Sequence, residues 1–338
     1  MKKIIIKNLD LIDDIQANLE KLKTNLKPAD RLFIKVNNNI FKNNNWLERD
    51  DLKAFLNLSG FEVIATKQNL IIAKIKNYKF KNYSISIIIP AKNESQNING
   101  IIKSIPNFGK SQEIIFIEGN SNDNTWNKIQ NEIRKNQSKN RKLIALKQKG
   151  TGKADAIRHG FKNATGEILI VYDSDRTVDS KDLIKFYNTL ASGQAEFANG
   201  NRLVYPMEVD AMRLLNKIAN KLFGILFTRI FGQKFKDTLC GTKAFFKKDY
   251  LKFSKFKDDP FGDFELIFGA IQNNLKVIEI PVKYKERIFG TTNIKRFYHG
   301  FLLVKIIFKA LWFFSIKKIN TKTITVAKLP KTPHLKND

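Results

Sequence analysis

The sequence predicts an α/β protein whose main domain is a mostly parallel sheet flanked by helices, and two observations carry that prediction. From Tyr83 onward, strand-like and helix-like segments alternate, which is the rhythm of parallel strands joined by crossover helices. One of those strands, EILIVY, is continuously apolar and ends directly in Asp173-Ser174-Asp175. A strand covered on both faces has this composition. The 338 residues, 43% of them hydrophobic, suffice for one substantial domain and a smaller second one.

The elements follow in order. The strand SISIIIP leads to a helix from about Glu94, then EIIFIE leads to a helix from about Asn122. KLIALK precedes a helix through ADAIRHGFKNA, and EILIVY follows. Beyond it lie a helix from about Lys181, a strand near EFANGNRL, an amphipathic segment from Met212 to Phe231, a helix from about Phe264, and the strand KVIEI before Pro281. Residues 1–80 form a separate small α/β unit, with helix LIDDIQANLEKLKTNL, strand RLFIKV, helix ERDDLKAFLNLSG and strand FEVIATK. The main domain is expected over 81–296, and residues 297–338 supply an amphipathic helix and a polar tail. In GFLLVKIIFKALWFF, Lys305 and Lys309 share one helical face opposite Leu, Ile, Phe and Trp. This segment is shorter than the roughly 20 residues a membrane span needs, so an interfacial helix is expected. MKKIIIKNLD has an apolar run too short for a signal peptide.

Lys+Arg 60 against Asp+Glu 32 gives a formal charge of +28, which favours phosphates in nucleic acid, anionic lipid or a phosphorylated substrate. Part of that excess is compositional, because Lys, Asn and Ile crowd even unremarkable segments. A nucleic-acid-binding protein would interleave basic residues with exposed aromatics. Here the aromatics sit in amphipathic stripes beside Leu and Ile, so nucleic acid is not the expected partner. Cys240 is the single cysteine, which excludes an internal disulfide and suits a reducing cytosol.

Asp173 and Asp175 carry the most chemistry. Two positions apart on extended backbone they would face one side, and oxygen-only ligands suit Mg²⁺ or Mn²⁺. Such a cation opposes charge developing on a departing diphosphate. A solvated turn could hold the same pair, so context decides. IIIPAKNESQNI places a polar loop at the end of one strand, and IEGNSNDNTWNKI places Glu118 and a Gly/Asn/Ser turn at the end of another.

Together these motifs resemble family 2 glycosyltransferases of GT-A fold, in the polyprenyl- and dolichol-phosphate sugar transferase branch, over residues 84 to about 310. The resemblance implies an inverting transferase that takes a sugar from a nucleotide-sugar donor to a lipid-phosphate acceptor. Pro90, Ala91, Asn93 and Glu94 would form the first nucleotide-contacting loop, with Glu118 where the family often has Asp gripping base or ribose. In KQKGTGKADAIRHGF, Lys153 stands at a helix N-terminus that attracts anions, and Asp155 would contact the base. Asp173, Ser174 and Asp175 complete the donor side, with Asp173 and Asp175 as metal ligands.

On the acceptor side, Arg202 and Arg213 would hold phosphate bidentately, and Asp237 lies in the acceptor-side turn DTLCGTKAF. Arg287, Thr292 and Asn293 belong to a segment that closes over the donor diphosphate. Asp263 would be a general base for a hydroxyl acceptor. A phosphate, with a second pKa near 6, needs no strong base, and Asp263 and Glu265 would then position the acceptor or a loop. Cys240 is expected as a packed side chain and His299 as a surface residue. The hydroxyl-acceptor alternative stays open, as does the choice of sugar and base.

LKPADRLFI and NWLERDDLKAFLNLSGFEVI resemble the second half of a class I methyltransferase. The Gly-rich turn that would hold the methyl donor belongs to the first half, and none precedes Leu11, so a unit without methyl transfer is expected. Its open sheet edge calls for packing on the main domain or on a partner, either a second copy or a separate membrane protein. The expected location is cytoplasmic, peripheral at the inner face of the cell membrane, on an anionic surface.

Overall fold

The computed structural model describes residues 3–6, 15–35, 49–67, 70–138, 140–205, 220, 223–229, 232–253, 259 and 261–290, with Leu302, Lys305 and Phe308 beyond. Two compact units divide the chain. One contains residues 1–79 and 203–206, the other 80–202 and 207–323.

The smaller unit is built on a four-stranded sheet, β1 (Lys3–Ile6), β2 (Arg31–Lys35), β3 (Phe61–Lys67) and β4 (Leu70–Ile75), in the order β1-β2-β4-β3. β1 and β2 are parallel, and β4 runs antiparallel to both its neighbours. Helices Ile15–Thr24 and Arg49–Leu58 contribute Leu19, Leu52, Phe55 and Leu56 to a core shared with Leu32, Ile34, Phe61, Ile71 and Ala73. Tyr205 joins this core, its ring 5.4 Å from Phe55. Two strands escape the sequence reading. β1 is a four-residue run in a lysine-rich start, and β4 returns so soon after β3 that the pair reads as one element.

The larger unit holds a seven-stranded sheet ordered β11-β9-β10-β8-β5-β6-β7. Its strands are β5 (Ile85–Ala91), β6 (Gln112–Glu118), β7 (Arg141–Lys147), β8 (Ile168–Val171), β9 (Phe197–Asn201), β10 (Lys243–Phe246) and β11 (Val277–Pro281). All pairings are parallel except those of β10, which is inserted antiparallel between β8 and β9. Every residue of β6, β8 and β9 is buried, as strands covered on both faces require. This is the mostly parallel α/β architecture of the GT-A fold. Helix Lys153–Asn163 lies so close to the sheet that a Cβ at Gly160 would collide with Ile88.

The topology positions the site. The C-terminal ends of parallel β5, β6, β8 and β9 share one rim, where open α/β sheets bind ligands. Reversed β10 begins at that rim, since Lys243 is in register with Val171 and Asn199.

One local expectation changes. No long helix starts near Glu94: residues 95–100 are turns and bends, and a helix covers only Ile101–Ser104. Asn97, Asn99 and Gly100 favour turns, and Gly100 takes the left-handed conformation, φ 75°. Part of the amphipathic segment 212–231 packs into the core. Phe227 is fully buried with Phe235, Phe264, Ile267 and Phe268, and Phe223 and Leu226 pack against that cluster. Ile225 and Arg229 of the same segment are exposed.

Candidate donor and acceptor site

The loops after β5 and β6 are laced together by side-chain caps. Asn93 N donates to Ser121 Oγ (3.0 Å), and Asn122 N donates back to Asn93 Oδ1 (2.8 Å). Glu94 N donates to Thr125 Oγ1 and Ser95 N to Asp123 Oδ2. Asp123 also accepts from Thr125 N at the start of helix Thr125–Lys135. Burial works against its charge, but the hydrogen bonds from Thr125 and Ser95 hold its carboxyl below the usual range. Its role is to shape the loop. Glu118, at the end of β6, is buried and accepts from Ser121 N at 2.6 Å, so one of its oxygens closes the 118–121 turn. Pro90 and Ala91 are the last residues of β5, in register with Ile117 and Glu118.

Asp155 works within its own turn. Its Oδ2 accepts from Gln148 Nε2 (2.9 Å) and Gly150 N (3.2 Å), while Gln148 Nε2 also donates to Gly152 O. This network fixes the entry to helix Lys153–Asn163. Lys153, the first residue of that helix, pairs with Asp173 at 2.6 Å. Burial pulls the Lys153 ammonium down, but Asp173 and then Asp263 outweigh it and hold it above the usual lysine value. Asp173 shows the reverse. Burial pushes it up, while Lys153 foremost, then Lys243 and Arg202, hold it below the usual carboxylate range.

β8 stops at Val171, so Asp173 and Asp175 do not alternate along a strand as their spacing suggests. Ser174 is buried in a turn, and Arg176 adopts φ 57°. The turn directs the two carboxylates to different cations. Asp175 Oδ1 accepts from Thr177 N and Oγ1, and its Oδ2 meets Arg287 Nη2 at 2.7 Å. Arg287 Nη1 reaches Glu94 Oε1 at 3.0 Å, so one guanidinium bridges the ends of two strands. Asn97 Nδ2 donates to Glu94 Oε2 and to Phe289 O, which ties the 287–289 backbone to the same loop. Burial pushes Glu94 up, against Asn97 and Arg287.

The expected acceptor side is a second charged cluster. Arg202 Nε and Nη2 donate to the two oxygens of Asp237 (2.7 and 2.8 Å), and its guanidinium lies 5.1 Å from the centre of the Tyr284 ring. Asp237 also accepts from Asn220 Nδ2 and from the Arg202 and Leu239 amides. It is fully buried with both oxygens spent. In this geometry Asp237 anchors Arg202. Glu279 on β11 accepts from the amides of Lys236 and Asp237 and from Asn201 Nδ2, which fixes the same turn. Burial pushes its carboxyl up to about 8, against the pull of those amides.

Asp263 is buried at the start of helix Asp263–Gln272 and pairs with Lys243 Nζ at 2.6 Å. Glu265 pairs with Arg158 of the neighbouring helix at 2.6 Å. Asp259 accepts from the amides of Phe261, Phe264 and Glu265 and so caps helix Asp263–Gln272. Cys240 is buried, and burial pushes its thiol up to about 12, as befits packing.

Lys243, Glu279, Asn220, Gln148 and Tyr284 were not singled out from sequence. Lys243 opens the short apolar strand β10 and Glu279 sits within β11, and a lone charged residue in such a strand reads as facing solvent. Arg213, Thr292, Asn293 and His299 lie outside the described residues. Of the segment 300–314, expected as a helix, only Leu302, Lys305 and Phe308 are described, and Lys305 and Phe308 are exposed.

Among the described residues no group of three or more His, Cys, Asp or Glu side chains is gathered for a metal. The chemistry of the donors nevertheless fits a hard cation. Asp175 and Glu94 present oxygens only, and a guanidinium stands between them where a divalent ion would find the same partners.

Residues 86–253 match the family described as Glycosyl transferase family 2. Glycosyltransferase AglJ of Haloferax volcanii is 26% identical over 214 residues, 62% of this chain and 66% of that protein. Dolichol-phosphate mannosyltransferase of Pyrococcus furiosus is 27% identical over 214 residues, 62% of this chain and 59% of that protein. The chain thus spans less than two thirds of each of these two relatives. UDP-N-acetylglucosamine–dolichyl-phosphate N-acetylglucosaminyltransferase of Methanococcus voltae is 26% identical over 218 residues, 59% of this chain and 84% of that protein. In fold, the chain is similar to a mannosyltransferase of Pyrobaculum calidifontis solved with GDP-Man and Mn²⁺, with TM-score 0.50, 16% identity, and coverage of 73% of this chain and 72% of the other.

Proposed function

From the premise that this chain is a glycosyltransferase with a family 2 domain over residues 86–253, we propose that it moves a sugar from a nucleoside diphosphate donor to a lipid-phosphate acceptor. The transfer inverts the anomeric centre and is metal-assisted. The observation that carries this reading is the Arg287 guanidinium bridging Asp175 and Glu94, with Lys153 on Asp173 beside it. These are oxygen-only carboxylates already engaged with cations, at the rim shared by several strand ends. Dolichol-phosphate transferases among the relatives support the acceptor class, and the Mn²⁺ complex of the fold relative supports the metal.

When bound, Mg²⁺ or Mn²⁺ opposes the charge that gathers on the leaving diphosphate. The chain's own residues do the rest. Asp175 and Asp173, with Glu94 across the rim, would hold the cation, and the loops at 93–94 and 118–121 cradle the nucleoside. Lys153, at a helix N-terminus, meets phosphate oxygens. Asp237 aims Arg202 at the acceptor phosphate, leaving the guanidinium's remaining N–H groups to orient an ionised oxygen for in-line attack. That oxygen needs no base, and Asp263 is engaged by Lys243.

In this reading residues 81–296 are the catalytic domain and 297–338 attach it to an anionic membrane surface on the cytoplasmic side. No helix among the described residues is long and apolar enough to cross a membrane. Residues 1–80 form a separate methyltransferase-like unit. The test is a screen of UDP- and GDP-sugars with Mg²⁺ and Mn²⁺, using a short-chain polyprenyl phosphate and a panel of glycan hydroxyl acceptors. Transfer to the lipid phosphate is expected. Transfer confined to hydroxyl acceptors would replace the acceptor assignment.

A further inference from the structure

Lys243 is a lysine with no exposed surface in the middle of a glycosyltransferase sheet. It opens β10 and lies in register with Val171 of β8 and Asn199 of β9. Its ammonium donates to the Cys240 carbonyl and pairs with Asp263 Oδ1 at 2.6 Å. A buried ammonium carries a heavy desolvation cost, and an apolar side chain of similar volume is often the more stable choice. Nothing in the packing of β10 demands a charge, because Ala244 and Phe245 beside it are ordinary core residues.

What the charge does is visible two residues upstream. The Cys240 carbonyl that Lys243 holds precedes Gly241, and a Cβ at Gly241 would collide with Asp173 Oδ2 and Lys153 Nζ. The 240–241 backbone is therefore close against the Asp173–Lys153 pair, and a side chain at position 241 would displace that pair. The same ammonium fixes Asp263, whose charge acts on Lys153 after that of Asp173, while Lys243 in turn acts on Asp173. Lys153, Asp173, Lys243 and Asp263 form a set of alternating charges around the Gly241 backbone.

We propose that Lys243 is a positioning residue for donor binding: by clamping the Cys240 carbonyl to Asp263 it holds the Gly241 backbone, and with it Asp173 and Lys153, in the place the donor diphosphate needs. This rests on the donor site proposed above. Lys243 touches no donor atom in this account and acts only through its neighbours.

The experiment compares the full-length wild type with Lys243→Met, Asp263→Asn and the double variant, measuring thermal unfolding and calorimetric binding of UDP and GDP in Mn²⁺. Each single variant leaves one buried charge alone and should unfold at lower temperature. The double variant removes both charges and should recover most of that loss. Its nucleotide affinity should nonetheless stay about tenfold below wild type, because the clamp on the 240–241 backbone is gone. A folded double variant that binds nucleotide within about threefold of wild type would overturn the proposal, leaving Lys243 as a structural partner of Asp263. Should a single variant fail to fold, the double variant decides alone. A wild type that binds neither nucleotide would defeat the donor-site reading and this inference together. A wild type that binds nucleotide but transfers to no acceptor would defeat only the acceptor assignment, with the binding comparison still deciding Lys243.

Discussion

Asp175→Asn separates function from stability, because the structure assigns the two oxygens of Asp175 different partners. Oδ1 accepts from Thr177 N and Oγ1 at 3.1 and 2.9 Å, and an asparagine carbonyl keeps both bonds. Oδ2 faces Arg287, whose side chain is 27% exposed, and that pairing is lost. A partly solvated ion pair contributes about 1 kcal/mol, which corresponds to a fall in Tm of about 2–4 °C in a domain of this size. Arg287 keeps its second partner, Glu94, which limits the loss further. The effect on transfer is of another order, because on the proposed reading a charge that would hold the divalent cation disappears. Removing one such electrostatic stabiliser costs on the order of 10²–10³ in rate. The assay is donor-sugar transfer over a Mn²⁺ titration, alongside thermal unfolding of the same preparation. Transfer within about threefold of wild type would refute the metal assignment. A Tm loss well beyond 10 °C would show instead that the Asp175 turn is a structural element whose chemistry has been misread.

Two further outcomes follow from the same geometry. Asp237→Asn strips the partner from buried Arg202 and should cost about 3–5 kcal/mol, read by urea unfolding. Burial raises the Asp237 carboxyl but Arg202 foremost holds it below the usual carboxylate value of 3.8, so its contribution is present above that pH and lost as pH falls through the depressed folded value. The variant should therefore show a shallower acid limb, and an unchanged limb would count against the assignment. For the membrane surface, Ile288 is 81% and Phe308 66% exposed. Serine at both positions should weaken binding to anionic vesicles while donor hydrolysis continues. High salt should weaken wild-type binding without abolishing it, since screening leaves apolar burial intact. Full release by salt, with no effect of the double substitution, would reduce the attachment to charge alone.

The parallel sheet was legible because β5, β6 and β8 are apolar runs separated by helical patterns, and because Asp173-Ser174-Asp175 follows one of them directly. The loops at 91–94 and 118–121 were legible as loops, but not the hydrogen bonds that join Asn93 to Ser121 and Asn122. Those depend on β5 and β6 being neighbours, which no local pattern states. Lys243 and Glu279 were missed for a related reason. In KAFF and VIEIP a charged residue looks solvent-facing, and only the reversed insertion of β10 buries Lys243 against Asp263. For Asp237, sequence spacing shows a carboxylate at a turn and cannot show that Arg202 takes both of its oxygens.

The charge of the whole chain and the charge of the site point in different directions, and the difference bears on how the acceptor arrives. Around the rim, Lys153, Arg202, Lys243 and Arg287 stand against Glu94, Asp173, Asp175, Asp237 and Asp263. The cations there are already matched by carboxylates, so this cluster is not where the excess of +28 resides. The excess belongs to the rest of the chain, where lysines and arginines outnumber carboxylates and raise a potential that acts over about a Debye length. A field of that reach suits an extended anionic surface better than a single small diphosphate. The paired cations at the rim suit close recognition of phosphate, which trades one carboxylate partner for another anion at little cost in charge. On the proposed reading, attraction to the surface and selection at the site would thus be carried by different residues. Lysines outside the rim can be varied for membrane affinity without touching the pairs that orient Asp173, Asp175 and Arg202.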